Sequence, residues 1–505
     1  MSSSYAVPRP SDNTDTILAT PEQEKIIRYH GDQLVVIAFA GAGKTWVLTQ
    51  YAHANPDYRI LYLAYNRAIR DEAIQKFPFN VECKTSHQLA YASVGKRFAK
   101  KLTNNLRLTD VAQALNSRNW TLARDVLKTL NNFLCSADGT IAEYHFFDGG
   151  DAGENTRNTN YIAQVVEKTE RIWARMIDID DEFPIVHDGY LKLYQMGTPT
   201  LSQKYGIILF DEAQDANPVT SDIVLKQSCK VVLVGDPHQQ IYRFRGANNA
   251  LKSHLLKKAD TLYLTQSFRF GDNVSLVANC LLELKGEQKK VVGFGENSDQ
   301  VTGVPLNDVP HKACIHRTVM GVLENALAAT SRGDRVFWVG GMNAYQINDL
   351  LDLYYFSMGV TEHVKNKQLL KNYQDFDEYE QIATATKDGE MLRAIKIINT
   401  YDNMPERVAL LRQYTAKEEH SAQITVSTAH RCKGLEWDHV QLADDFADVL
   451  DPELSDADKE DEINLLYVAA TRAMKQLVIN ASIGAVIRHI TKKRAMEAKD
   501  TIELT

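Results

Sequence analysis

Ala38-Phe39-Ala40-Gly41-Ala42-Gly43-Lys44-Thr45 follows the apolar run Leu34 to Ile37 and leads into a helical-looking stretch, Trp46 to Tyr51. Strand, loop and helix in that order place the chain in the α/β class. A loop rich in Gly and Ala can turn its backbone N–H groups inward around a polyphosphate, because no bulky side chain blocks the approach. The following helix then presents the positive end of its dipole. In such a loop Lys44 reaches the β and γ phosphates and Thr45 holds Mg²⁺. The usual pattern opens with glycine, and here Ala38 stands in that place. The plain alternative is a Gly-rich turn, and the strand and helix on either side argue against it.

Further along, Tyr205 to Phe210 reads as a buried strand ending in Asp211-Glu212-Ala213-Gln214-Asp215. Two adjacent carboxylates at the tip of a buried strand are costly unless a cation or a reacting water is at hand. Beside a phosphate loop, Asp211 completes the Mg²⁺ shell and Glu212 polarises the attacking water. Lys230 to Val234 is another strand, followed by Gly235-Asp236-Pro237-His238-Gln239-Gln240-Ile241-Tyr242-Arg243-Phe244-Arg245-Gly246. There Gln239 or Gln240 is placed to sense the γ-phosphate. Tyr242 and Phe244 are placed to stack on bases of a single strand, a contact worth about 1–3 kcal/mol per base; the alternative is core aromatics under a loop.

Upstream, Thr20-Pro21-Glu22-Gln23 starts a helix with a capping residue followed by proline. The Gln23 amide offers a donor and an acceptor together, which matches adenine's edge. The strand runs Arg59 to Ala64 and Val81 to Lys84 end in Tyr65-Asn66-Arg67 and Thr85-Ser86-His87. Ligands in open α/β sheets sit at these carboxyl ends, although polar strand ends are also common without one.

At 505 residues the chain exceeds what one core organises, so two or more compact units are expected. No run approaches the ~18 to 20 apolar residues of a membrane span. Six cysteines lie far apart at 83, 135, 229, 280, 314 and 432, without a CxxC pair, which argues for buried thiols in a reducing compartment rather than a zinc or iron–sulfur site. The net charge of -8 argues against coating nucleic acid through bulk charge, yet allows a locally basic channel.

Residues 1–15 read as a disordered leader. Residues 96–185 carry a basic start, Lys96-Arg97 and Lys100-Lys101, helical patterns and the loop Asp148 to Asp151. The basic start either touches nucleic-acid backbone or is a solvated helix face. Strand-like runs at Ala313 to Ile315 and Arg335 to Val339 open a second unit, and residues 342–419 turn helical and polar. The second unit returns with Ile424 to Trp437 and the run Val440 to Leu442. Asp444 to Glu462 reads as a solvated loop. Asn464 to Ala473 is a helix whose Arg472 is placed to reach a transferring phosphate, or else makes a surface salt bridge.

Taken together, Gln23, Gly41 to Thr45, Tyr65-Asn66, Thr85 to His87, Asp211 to Asp215, Gly235 to Gly246, Phe268-Arg269, Thr428 to Glu436 and Tyr467 to Arg472 resemble the ordered motif set of superfamily 1 helicases of the UvrD type. Within that family the F-box DNA helicase group is most similar, through Val36 to Gly41, His187 to Leu193, Gly235 to Tyr242 and Leu264 to Phe270. The resemblance spans about Thr20 to Ile479. No F-box-like segment fits the short leader, so the adaptor role of that group is not expected.

The resemblance implies two RecA-like P-loop domains, each a parallel sheet flanked by helices with a mainly helical insertion. The first comprises 16–95 and 186–263 around insertion 96–185; the second comprises 264–341 and 420–505 around a reduced insertion 342–419. It implies ATP and Mg²⁺ in the cleft. Gln23 and Phe268 would hold adenine; Ala40, Gly41, Ala42, Gly43, Lys44 and Thr45 would cradle phosphates, with Thr45 and Asp211 on the metal. Glu212 would be the base, Gln240 the γ-phosphate sensor, Arg269 and Arg472 arginine fingers, and Glu436 a neighbour of the ribose and phosphates. Tyr65, Asn66, Thr85, His87, Tyr242, Phe244, Arg245, Thr428 and His430 would line the single-strand path.

The implied activity is 3′-to-5′ helicase or translocase action on single-stranded DNA and junctions, in repair or recombination, in the cytoplasm or a nucleus. A short interval from Arg269 to Thr428, and Ser86 where an aromatic often follows the Thr, depart from the family pattern. The first motivates the alternative of an ATP-switched motor subunit, or a remodeller of a RecA-family recombinase filament. A built-in nuclease is disfavoured, since the tail after Arg472 shows no carboxylate–Lys constellation.

Overall fold

The computed structural model describes residues 19–146, 159–243, 246, 248–295, 297–306, 309–386 and 388–503. The expected leader, the loop Asp148 to Asp151, Phe244 and Arg245 lie outside the described residues.

The first half opens with α1 (Pro21–Ile27), β1 (Gln33–Ala38), α2 (Lys44–Ala54), β2 (Ile60–Ala64), α3 (Arg67–Lys76), β3 (Val81–Thr85) and α4 (Ser86–Ser93). Two-residue strands β4 (Leu102–Thr103) and β5 (Ile185–Val186) pair in parallel, where a helical segment leaves and rejoins this half. Between them lie α5 (Leu108–Ala114), α6 (Trp120–Cys135) and α7 (Thr159–Ile177). The chain returns through α8 (His187–Met196), β6 (Ile207–Phe210), α9 (Pro218–Leu225), β7 (Lys230–Gly235) and β8 (Asp260–Leu264).

The six strands order as β3-β2-β6-β7-β1-β8, all parallel. Strands buried on both faces need no alternation, and β2 and β6 are buried at every residue. The order brings the carboxyl ends of β1, β7 and β6 side by side, so the phosphate loop and the acidic strand tip are neighbours although more than 160 residues apart in sequence.

The second half contributes α10 (Asp272–Leu284), β9 (Gln300–Thr302), β10 (Lys312–His316), α11 (Val319–Ser331) and β11 (Val336–Trp338). A run of helices follows: α12 (Ile347–Ser357), α13 (Lys367–Asn372), α14 (Phe376–Thr386), α15 (Gly389–Thr400) and α16 (Met404–Tyr414). It closes with β12 (Ile424–Thr428), β13 (Trp437–Leu442), α17 (Asp456–Ala470), β14 (Ala473–Val478) and α18 (Ala481–Glu503). Its parallel sheet orders as β11-β12-β10-β13-β14-β9. The fold class is therefore the expected one.

The acidic stretch Asp444 to Glu462 is not wholly a solvated loop. Ser455 caps α17 by accepting from Asp458 N, and Asp456 and Asp458 stand in its first turn, where the dipole favours carboxylates. Glu462 is buried against Arg317.

One apolar cluster joins Phe39, Ala40 and Ile241 of the first half to Phe270, Tyr467 and Leu466 of the second, so the two halves share a core beside the phosphate loop. The six cysteines are all free. No helix among the described residues is long and apolar enough to cross a membrane.

Candidate functional site

The loop after β1 turns on Gly41 and Gly43, both at φ 74°, a region glycine enters at no steric cost. At Gly41 a Cβ would lie 2.5 Å from Ser267 Oγ, which closes that position to any side chain. Gly43 is the N-cap of α2 and supplies no side-chain cap, so the first-turn N–H groups of α2 have no side chain competing for them. Gln23 and Phe268 flank Gly43: a Cβ there would lie 3.4 Å from Gln23 Nε2 and 3.7 Å from Phe268 Cδ2. Gln23 Oε1 accepts from Thr20 N at 2.9 Å, so a capping box holds the amide in place. Phe268 N donates to Gly41 O at 2.8 Å, and its ring stays partly exposed.

Lys44 forms an ion pair with Glu212. Burial lowers the Lys44 ammonium, but Glu212 and Asp211 outweigh it and hold it above its ordinary pKa. Glu212 sits at φ 51°, a left-handed turn at the end of β6. Burial pushes its carboxyl up, and Lys44 and Lys433 more than reverse this, keeping Glu212 ionised. Asp211 behaves oppositely: burial and the Glu212 charge push it up. Tyr62 donates to Asp211 Oδ2 at 2.6 Å, and Glu212 N donates to Oδ1 at 2.9 Å. The neighbouring Asp215 is pushed up to about 6 by burial, against the pull of Lys433.

Lys433 comes from the loop after β12, in the second half. It pairs with Asp215, donates to Gln239 O at 2.7 Å and lies 3.7 Å from Glu212 Oε2. Arg472, only 1% exposed, is held by carbonyls: Nε donates to Val468 O at 2.9 Å and a terminal nitrogen to Leu435 O at 3.2 Å. Its other terminal nitrogen points across to Gln239 Oε1 at 3.5 Å. Burial and the nearby Arg269 lower its pKa to about 10, which leaves it charged at neutral pH. Arg269 donates to Glu436 Oε2 at 2.7 Å and to Thr471 O at 3.1 Å.

The side chain between Asp236 and Arg472 is that of Gln239, whose Nε2 donates to Asp236 Oδ2 at 2.8 Å. Gln240 uses its backbone carbonyl to accept from Asn464 Nδ2 at 2.9 Å.

A second set gathers beside the acidic tip. Tyr65 and Tyr242 stack with centroids 5.7 Å apart and planes 14° from parallel. His430 lies 6.3 Å from the Tyr242 ring, whose hydroxyl donates to His430 O at 2.9 Å. Tyr65, His87 and Tyr242 line a cavity of about 260 Å³ that reaches Glu212 and Asp215. Asn66 and Thr85 cap α3 and α4 through their side chains, and Thr428 is buried at the end of β12.

Thr45 stands in the first turn of α2, and Asp211 at the tip of β6. Hydroxyl and carboxylate oxygens suit Mg²⁺, which takes few protein ligands and fills its shell with phosphate and water. Among the described residues no group of three or more His, Cys, Asp or Glu could hold a metal.

Residues 19–260 match the family profile described as the UvrD/REP helicase N-terminal domain, and residues 423–479 that of the UvrD-like helicase C-terminal domain. The chain belongs to the UvrD-like helicase family. F-box DNA helicase 1 of Gallus gallus is 34% identical over 94% of this chain and 50% of its own length. F-box DNA helicase protein 1 of Schizosaccharomyces pombe is 31% identical over 94% of this chain and 58% of its own. ATP-dependent DNA helicase PcrA of Leuconostoc citreum is 26% identical over 56% of this chain and 41% of its own. The chain thus spans 50% to 58% of the length of the two F-box relatives.

In this UvrD-like chain three cleft residues escaped the reading of the sequence. Lys433 lies within Thr428 to Glu436, but a lysine beside glycine signals nothing about the carboxylates it will meet. Tyr62 sat in an apolar strand run. Tyr467 lies in the helix run Asn464 to Ala473, and only the fold shows its hydroxyl accepting from Ala40 N at 3.3 Å, in the loop after β1.

Proposed function

We propose that this chain is an ATP-dependent DNA helicase or translocase that moves 3′ to 5′ on single-stranded DNA, coupling hydrolysis to strand separation or protein displacement in repair or recombination. The observation that supports it is convergence across one cleft. Lys44, Asp211 and Glu212 stand on the first half, while Arg472 and Lys433 reach in from the second and Arg269 packs beside Gly41. Family membership supports ATP and DNA as the ligands, and the polarity rests on the family resemblance alone.

In this reading Gln23 and Phe268 flank the adenine, and Gly41 to Thr45 wrap the phosphates. Lys44 exchanges its pairing with Glu212 for the β and γ phosphates, which frees Glu212 to take a proton from the attacking water. Thr45 and Asp211 would hold Mg²⁺, which neutralises phosphate charge. Arg269 and Arg472 bring the second half against the γ-phosphate, and Gln239, rather than Gln240, is assigned as its sensor because it links Asp236 to Arg472. Loss of the γ-phosphate removes contacts that favour closure, so the halves alternate in their hold on the strand. Tyr65, His87, Tyr242 and His430 supply the stacking surface.

ATPase rate with and without single-stranded DNA tests the reading, beside unwinding of duplexes tailed at either end. Strong stimulation and loss of turnover in Lys44→Ala and Glu212→Gln are expected; an ATPase indifferent to single strands would count against it. The short interval from Arg269 to Thr428 favours, as a second reading, a remodeller that clears a RecA-family filament, and efficient unwinding by the chain alone would exclude it.

A further inference from the structure

The motif His187-Asp188-Gly189-Tyr190 has no part in the nucleotide cleft, yet it borders the cavity beside the stacked tyrosines. Asp188 lines that cavity with Tyr65, His87, Asn217, Thr220 and Tyr242. At about 260 Å³ it falls just under the ~300 Å³ at which drug-sized pockets begin, a size suited to one flat ring system.

Asp188 is held in place from three sides. It stands in the first turn of α8, where the helix dipole favours a carboxylate. His87 Nε2 lies 3.0 Å from its Oδ1. The next residue, Gly189, lets α8 seat closely, since a Cβ there would come within 2.8 Å of Ile185 Cγ1. The second oxygen of Asp188 makes no hydrogen bond among the described residues, and the side chain is 46% exposed.

The lining also includes Glu212 and Asp215, but Lys44 and Lys433 pair with these two, so among the described residues Asp188 is the lining carboxylate with no lysine partner and with an oxygen left to accept from a base. A carboxylate accepts from an exocyclic amino group and repels a carbonyl. We propose that this cavity is a nucleobase subsite in which Asp188 selects a base bearing an exocyclic amino group, cytosine in the first instance, over one presenting a carbonyl there. The subsite rests on the single-strand path proposed above.

Fluorescence anisotropy of the full chain with deoxycytidine and deoxyuridine tracts of equal length, at one salt concentration, tests it. The two bases differ along the edge Asp188 would meet, and the backbone contribution cancels in the ratio. Deoxycytidine is expected to bind about five- to tenfold tighter, the lower range for a base-edge contact. Asp188→Asn should bring the ratio to about one, and Asp188→Glu should keep part of it. Equal binding of the two tracts by the wild-type chain overturns the subsite and leaves the strand path standing; so does a preference that survives Asp188→Asn. Failure to bind either tract would remove the strand path, and the subsite with it.

Discussion

Lys433 is the residue through which the second half reaches the acidic tip of β6. Its side chain is 10% exposed and that of Asp215 fully buried, so each depends on the other for compensation. Lys433→Met should destabilise the protein by about 3–5 kcal/mol, the cost of leaving a buried charge unpaired. Urea titration checks this, and Asp215→Asn in the same chain should recover much of the loss. Tyr62→Phe removes the donor to Asp211 Oδ2, a charge-assisted bond worth about 1.5–3 kcal/mol. Because that bond lowers the Asp211 pKa, the acid limb of the ATPase profile should move to higher pH in Tyr62→Phe.

At the scale of elements, the phosphate loop and the end of β10 lead to separate expectations. Gly41→Ala places a Cβ at positive φ and against Ser267 Oγ, so nucleotide affinity measured by calorimetry should fall at least tenfold. His316, at the end of β10, is pushed down to about 4 by burial, against the pull of Asp445. A base depressed in the folded state contributes stability above its unfolded value, and that stability is lost as pH falls. Unfolding free energy should therefore drop between about pH 6.5 and 4, and the drop should flatten in His316→Asn, read from urea melts across pH. Other elements were legible beforehand: the capping box at Thr20 and the strands around Cys314 and Phe337 follow from local pattern. The start of α17 did not, because a run of acidic residues reads as solvent-facing until Ser455 and the helix dipole are seen to hold it.

For the whole molecule, the shared core beside the glycine-rich loop after β1 matters most. Phe39 is fully buried in a cluster dominated by the second half, although it belongs to the first. Phe39→Ala should cost about 3–5 kcal/mol. Because the lost contacts lie between the halves, scanning calorimetry should show one transition resolving into two. A single transition shifted without splitting would mean that the halves are coupled mainly elsewhere.

Local chemistry by itself determined the α/β class, the glycine-rich loop after β1 and the acidic strand tip, each written in contiguous residues, and the family through the order of such short motifs along the chain. Tertiary structure decided which distant groups meet. Only the strand order β6-β7-β1 sets Lys44 against Glu212. Only the packing of the second half turns Lys433 toward Asp215 and aligns Arg472 with Gln239 instead of Gln240. Side-chain direction and burial are properties of the packed whole, and no stretch of sequence encodes the partner it will face.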